Sequence, residues 1–240
     1  MTPTTGTLYG IGVGPGDPEL ITLKALKVLR RVPHIFASCS TKNNYSLALN
    51  IVRSHLNGAG LEHLPFPMTR DPQALREAWE ANARRVLEVL ETGSDAAFVT
   101  LGDPLTYSTF GYLLKTLKRL NPAVRVVTIP GITSYAAAAA HTQIPLTEGE
   151  ESFVVVSGAQ GAARLREVAG QSDNIVMLKT YRNFAEIYQA LEELDLLDRA
   201  VCISRCGLDG ETVVDNLRDL KGQPLPYLSM VIIKKKGKGY

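Results

Sequence analysis

Between Glu19 and Glu62 the chain carries no acidic residue, yet Lys24, Lys27, Arg30, Arg31, Lys42 and Arg53 fall there. A locally basic lobe suits a polyanionic small molecule, although such side chains also serve simply to solvate helix faces. The overall balance is only +2 at neutral pH, so the strongly basic footprint of a nucleic-acid binder is missing. Cysteine is scarce. Cys39, Cys202 and Cys206 are odd in number and form no CxxC, which argues against a disulfide scaffold and fits a reduced, cytoplasmic protein. Cys202 and Cys206 are expected in one strand as small buried packers. No apolar run approaches a membrane span, and no basic start followed by an apolar stretch opens the chain, so neither membrane nor leader is expected. His34, His55, His63 and His141 are scattered, without HExxH or a carboxylate–histidine cluster, so no protein-bound metal is expected. The G-x-S-x-G elbow of a Ser-His-Asp hydrolase is also absent.

What is present is ordinary in bulk: 240 residues, 45% apolar and 21% charged, enough for one large α/β domain or two small ones. Strand patterns at 7–13, 33–38, 96–101, 124–129, 153–156, 175–178, 200–205 and 228–234 alternate with helical patterns, so the class is α/β. A helix over about 20–31 is expected to bury Leu23, Leu26 and Leu29, and another over 45–56 to end at Asn57-Gly58. The stretch 64–69 is too proline-rich for a central strand. Asp71 with Pro72 starts a helix to about Glu91. Asn183 with Glu186 resembles a capping box. Asn121-Pro122 stops a helix and serves as the candidate boundary between domains 1–121 and 122–240. The lysine-rich 234–238 tail reads as a solvated terminus.

Three strand-end corners carry the chemistry. They are Gly12-Val13-Gly14-Pro15-Gly16-Asp17, Leu101-Gly102-Asp103-Pro104, and Pro130-Gly131-Ile132-Thr133-Ser134. Each puts glycine, proline and a small hydroxyl or carboxylate where a ligand can meet backbone, and together they describe a cleft. A dinucleotide reading fails, because G-x-G-x-G replaces G-x-G-x-x-G and no acid lies between Leu29 and Ala37. A Walker A loop fails as well, for want of Gly-Lys-Ser/Thr.

In this order and spacing the corners resemble the tetrapyrrole (corrin/porphyrin) methylase family over nearly the whole length. Leu20-Ile21-Thr22-Leu23-Lys24-Ala25 continues the match. Phe66-Pro67-Met68-Thr69, Thr100 to Pro104 with Tyr107-Ser108-Thr109, and Pro145-Leu146 before Glu148-Gly149-Glu150 look like its precorrin-2/cobalt-factor-II C20-methyltransferase branch. Leu101 departs from the Gly-Gly-Asp-Pro of uroporphyrinogen-III methylases, and Lys179 stands where several relatives have methionine.

The resemblance implies two αβα lobes with S-adenosylmethionine (SAM) bent into the cleft between them, a homodimer, and C20 methylation of precorrin-2 or cobalt-factor II in cobalamin (vitamin B12) synthesis. It places SAM contacts on Pro15, Leu101, Gly102, Asp103, Thr106, Thr133, Ser134, Lys179, Cys206 and Gly207, the last three from weaker local alignment. The first loop and the basic lobe would face the macrocycle, with Arg30, Arg31 or Arg53 pairing its carboxylates. Tyr107 and Asp17 are candidate acceptors for the departing proton, against the blander roles of packing and helix capping. The rivals are a C11- or C17-directed corrin methylase, an RNA- or protein-directed methylase of the same fold, and a non-catalytic SAM or tetrapyrrole sensor.

Overall fold

The computed structural model describes residues 5–39 and 46–236, in two compact units that meet in sequence between Thr133 and Ser134. Lys42, Tyr45, Gly237 and Lys238, which entered the expectations above, lie outside the described residues.

The first unit alternates β1 (Thr7–Gly12), α1 (Leu23–Leu29), β2 (His34–Cys39), α2 (Leu47–Val52), β3 (Gly60–Pro65), α3 (Pro72–Glu91), β4 (Ala96–Thr100), α4 (Phe110–Leu120) and β5 (Arg125–Ile129). Its sheet runs β3-β2-β4-β1-β5, every pairing parallel. All five residues of β4 are buried, as a strand covered on both faces must be. Alternate strand residues feed the two faces. Val99 and Ile35 pack with Val28 of α1 and Leu49 of α2. Phe98 and Phe36 pack with Val86 of α3 and Leu113 of α4. The crossover after β1 therefore covers one face and the crossover after β4 the other. Between these neighbouring strands the chain parts in opposite directions, which makes their carboxyl ends the switch point where open α/β sheets take ligands.

The second unit holds α5 (Ser134–Thr142), β6 (Phe153–Ser157), α6 (Ala163–Val168), β7 (Asn174–Leu178), α7 (Phe184–Glu193), β8 (Ala200–Ser204), β9 (Thr212–Val214) and β10 (Ser229–Lys234). Its sheet runs β6-β7-β10-β8-β9, with β10 antiparallel to both neighbours. Met177, Cys202 and Val231 point to α6 and α7, while Val176, Ile203 and Ile232 point to α5. Both units are thus helix–sheet–helix sandwiches.

Several local expectations need correction. β5 hydrogen-bonds to β1, so the strand after Asn121-Pro122 completes the first unit and the division falls after Thr133. The 20–31 helix is shorter. Asp17 caps a 3-10 turn over Pro18–Leu20, and Thr22, accepting from Ala25 N, starts α1 afresh. Ala25, Val28 and Leu29 form its buried face, whereas Leu23 is exposed. Cys206 lies beyond the end of β8, in a turn. The Asn183–Glu186 capping box does not form. Asn183 donates instead to Gly158 O and Ala159 O, and Glu186 accepts from Ala162 N ahead of α6. Lys234 is no solvated tail residue. It is buried in β10 and paired with Glu148 at 2.7 Å and Glu151 at 2.9 Å. The proline-rich 64–69 stretch begins in β3, an edge strand, where proline is tolerated.

Candidate active site

The ends of β4, β1 and β5 lie side by side, and the three glycine corners follow them directly. Gly14 and Gly102 form an antiparallel bridge, Gly102 N to Gly14 O at 2.7 Å and Gly14 N to Gly102 O at 3.3 Å. Val13 N donates to Thr100 O at 3.0 Å. Gly131 closes the set. A Cβ on it would lie 2.1 Å from Gly102 O and 2.7 Å from Gly12 C, and a Cβ on Gly12 would lie 2.6 Å from Gly131 N. Backbone packs on backbone at a distance that only glycine permits.

Asp103 pins the assembly. Its Oδ1 accepts from Leu105 N at 2.9 Å and from the Thr106 hydroxyl at 3.3 Å, and its Oδ2 accepts from Gly131 N at 3.2 Å. The aspartate expected to touch the cofactor therefore ties the second corner to the third. Thr106, having donated its proton to Asp103, keeps its lone pairs for a ligand. Ser108 is engaged too, with Thr100 Oγ1 at 2.8 Å and Phe110 N at 3.1 Å. Pro15 is buried; Leu101, Gly102 and Thr133 are half-buried. Tyr107 is half exposed and holds a left-handed backbone at φ 52°. Asp17 Oδ1 accepts from Glu19 N at 2.8 Å, the capping role. None of the residues 12–17, 101–106 or 130–133 is cationic.

The remaining candidates belong to the second unit. β7 and β8 both run antiparallel to β10, so Lys179 after β7 and Cys206-Gly207 after β8 sit at the same edge of that sheet. Lys179 is exposed with φ 59°, and Gly207 has φ 74°. Burial, with the neighbouring Glu211 carboxylate, pushes the Cys206 thiol up to about 11. Glu211 accepts from Gly207 N and pairs with His141 Nε2 of α5 at 2.9 Å, tying that turn to the helix that Ser134 begins. This brace escaped sequence reasoning, because nothing local marks His141 and Glu211 as partners.

Of the arginines expected to meet the substrate, Arg30 and Arg53 lie at the opposite edge of the sheet from the glycine corners. Arg30 closes α1 and Arg53 closes α2, and both helices run back from the carboxyl edge of the sheet to its amino edge. Arg31 is occupied, donating to the Tyr9 hydroxyl at 2.8 Å with its guanidinium 5.3 Å from the ring centre. Among the described residues no group of three histidine, cysteine or acidic side chains is placed to hold a metal, and no helix is long and apolar enough to cross a membrane.

The model of the tetrapyrrole (corrin/porphyrin) methylases matches residues 7–221. The chain belongs to this family. Among its curated relatives, the cobalt-precorrin-2 C(20)-methyltransferase of Salmonella typhimurium is 33% identical over 96% of this chain and 97% of its own length. The probable cobalt-precorrin-2 C(20)-methyltransferase of Methanocaldococcus jannaschii is 35% identical over 98% and 99%. Solved tetrapyrrole methylases share the fold. Uroporphyrin-III C-methyl transferase from Thermus thermophilus, crystallised with S-adenyl homocysteine, superposes with a TM-score of 0.70 at 23% identity, covering 96% of this chain and 99% of that one.

Proposed function

We propose that this protein transfers a methyl group from SAM to C20 of a reduced tetrapyrrole, precorrin-2 or cobalt-factor II, in cobalamin biosynthesis. End-to-end similarity to enzymes named for that reaction carries the reading. The corner fits the donor on its own chemistry. It offers half-buried peptide groups and a hydroxyl with free lone pairs, and its ionised side chains, Asp17 and Asp103, are both anionic. A sulfonium is a compact cation, and such surroundings favour it.

SAM supplies an electrophilic methyl; a nucleophilic carbon of the tetrapyrrole attacks it in line, and the S–CH3 bond breaks to release S-adenosylhomocysteine. The chain's part is to hold the two reactants roughly 3–3.5 Å apart and aligned. Pro15, Leu101, Gly102, Asp103, Thr106 and Thr133 would do so from the first unit, Asp103 by fixing the corner and the others by contact. Ser134, Lys179, Cys206 and Gly207 are proposed as further donor contacts, supported by the shared sheet edge of the last three. Tyr107 and Asp17 are the proposed proton acceptors. Tyr107→Phe should then lower kcat by about 10²-fold or more in a methylation assay, and a loss of only a few-fold would remove it from that role.

Reducing surroundings suit the three buried free thiols, so a cytoplasmic location is part of the proposal, as is a homodimer, checked by sedimentation. The deciding experiment incubates the purified protein with SAM and each substrate without oxygen and locates the new methyl by mass and carbon-labelled NMR. Methylation at C20 is expected. A methyl at another carbon would overturn the assignment to this branch.

A further inference from the structure

The methyl-transfer reading leaves open which side chains receive the macrocycle, and the inference that follows rests on that reading. Among the described residues of the first unit, the large apolar or aromatic side chains at least half exposed are Leu23 (75%), Met68 (75%), Leu105 (60%) and Tyr107 (50%). All four lie where the chain leaves a strand's carboxyl end. Leu23 opens α1 after β1, Met68 lies between β3 and α3, and Leu105 and Tyr107 lie between β4 and α4. With the order β3-β2-β4-β1, three strand spacings spread them over about 15 Å. One exposed leucine means nothing, but four such residues gathered at one sheet edge make a surface.

Two cations border that surface. Lys24 follows Leu23, and Arg70 is two residues beyond Met68. Both are exposed, and neither has an ion pair or hydrogen bond among the described residues. Elsewhere on the unit Arg84 and Arg119 pair with Glu80, and Arg85 with Glu62 and Glu88; what distinguishes Lys24 and Arg70 is their place beside the apolar residues at this edge. No acid lies between residues 20 and 61, while Asp17, Glu19, Asp71 and Asp103 stand in the neighbouring connections of the same edge.

We propose that Leu23, Met68 and Leu105 form an apolar platform for one face of the tetrapyrrole, and that Lys24 and Arg70 anchor its peripheral carboxylates. A flat apolar body fringed with carboxylates is the occupant whose charge and surface match. Anchors at two sides of the platform set the rotation of the ring, and so which bridging carbon meets the methyl group.

The test uses the full chain. Lys24→Glu and Arg70→Glu are compared with wild type and with Arg30→Glu and Arg53→Glu at the opposite edge. Three quantities are read: KM for cobalt-factor II, its binding by absorbance titration, and the Kd of S-adenosylhomocysteine. Each edge variant should raise KM and the tetrapyrrole Kd about tenfold or more, with homocysteine-analogue affinity within about twofold and the opposite-edge variants unchanged. Unchanged tetrapyrrole binding in both edge variants would overturn the platform while leaving the reaction assignment standing. Binding that depends on Lys24 and Arg70 in a wild type that transfers no methyl would instead fault the reaction and support the edge.

Discussion

Asp103 shows how much one side chain can organise. Its two oxygens bind within their own turn and across to Gly131, so Asp103→Ala removes a clamp between corners rather than a ligand contact alone. The variant should lose about 1–3 kcal/mol of stability and weaken S-adenosylhomocysteine, read by thermal melting and calorimetry. Gly131→Ala acts by another route. Its new methyl would meet Gly102 O at 2.1 Å, so backbone must move, at a cost of about 1–3 kcal/mol. Calorimetry should find at least tenfold weaker binding of the analogue. The cysteines should be quiet. Burial pushes the Cys202 thiol up to about 12 and Cys206 to about 11, so both stay protonated at neutral pH. Alkylation at pH 8 should be slow in the folded protein and rapid in denaturant.

Among elements, β10 carries an unexpected load at its carboxyl end. Lys234 answers Glu148 and Glu151, Lys235 donates to Ala169 O and Ser172 O, and Lys236 pairs with Asp173 at 3.4 Å. The Lys234 ammonium, helped by Asn174, holds the Glu151 carboxyl below its ordinary value. The Ser152 amide and hydroxyl hold Asp173 at about 2, against an ordinary 3.8. A depressed acid contributes stability above its unfolded value and loses it as pH falls through the folded one. Melting temperature should therefore decline between about pH 4 and 2, and Asp173→Asn should flatten that limb. For Lys234, burial opposes the charge but Glu148 and Glu151 outweigh it, so the raised value keeps its contribution until strongly alkaline pH. None of this was legible in the lysine run, because the acids that pair with Lys234 lie more than 80 residues away. By contrast, Asp71-Pro72 at the start of α3 was legible, since Asp71 accepts from Gln73 N within its own turn. Asn183 and Glu186 had a capping spacing but found stronger partners across the fold.

On the scale of the whole molecule, alternation of apolar runs foretold the α/β class, the family resemblance foretold two layered units, and the three glycine corners do follow neighbouring strands of one sheet. What the sequence could not show was strand order. Placing β4 between β2 and β1 is what brings Leu101-Gly102 against Gly12 and Gly14, and placing β5 beside β1 brings Gly131 in. The same order sends Arg30 and Arg53 to the far edge and leaves Lys24 and Arg70 at the near one. The central claim is that these three turns act together to seat the methyl donor. A crystal structure with S-adenosylhomocysteine tests it most directly. The account predicts the ligand against residues 101–106 and 133, with Asp103 still bound to Gly131 N. Density for the ligand remote from those residues would contradict it.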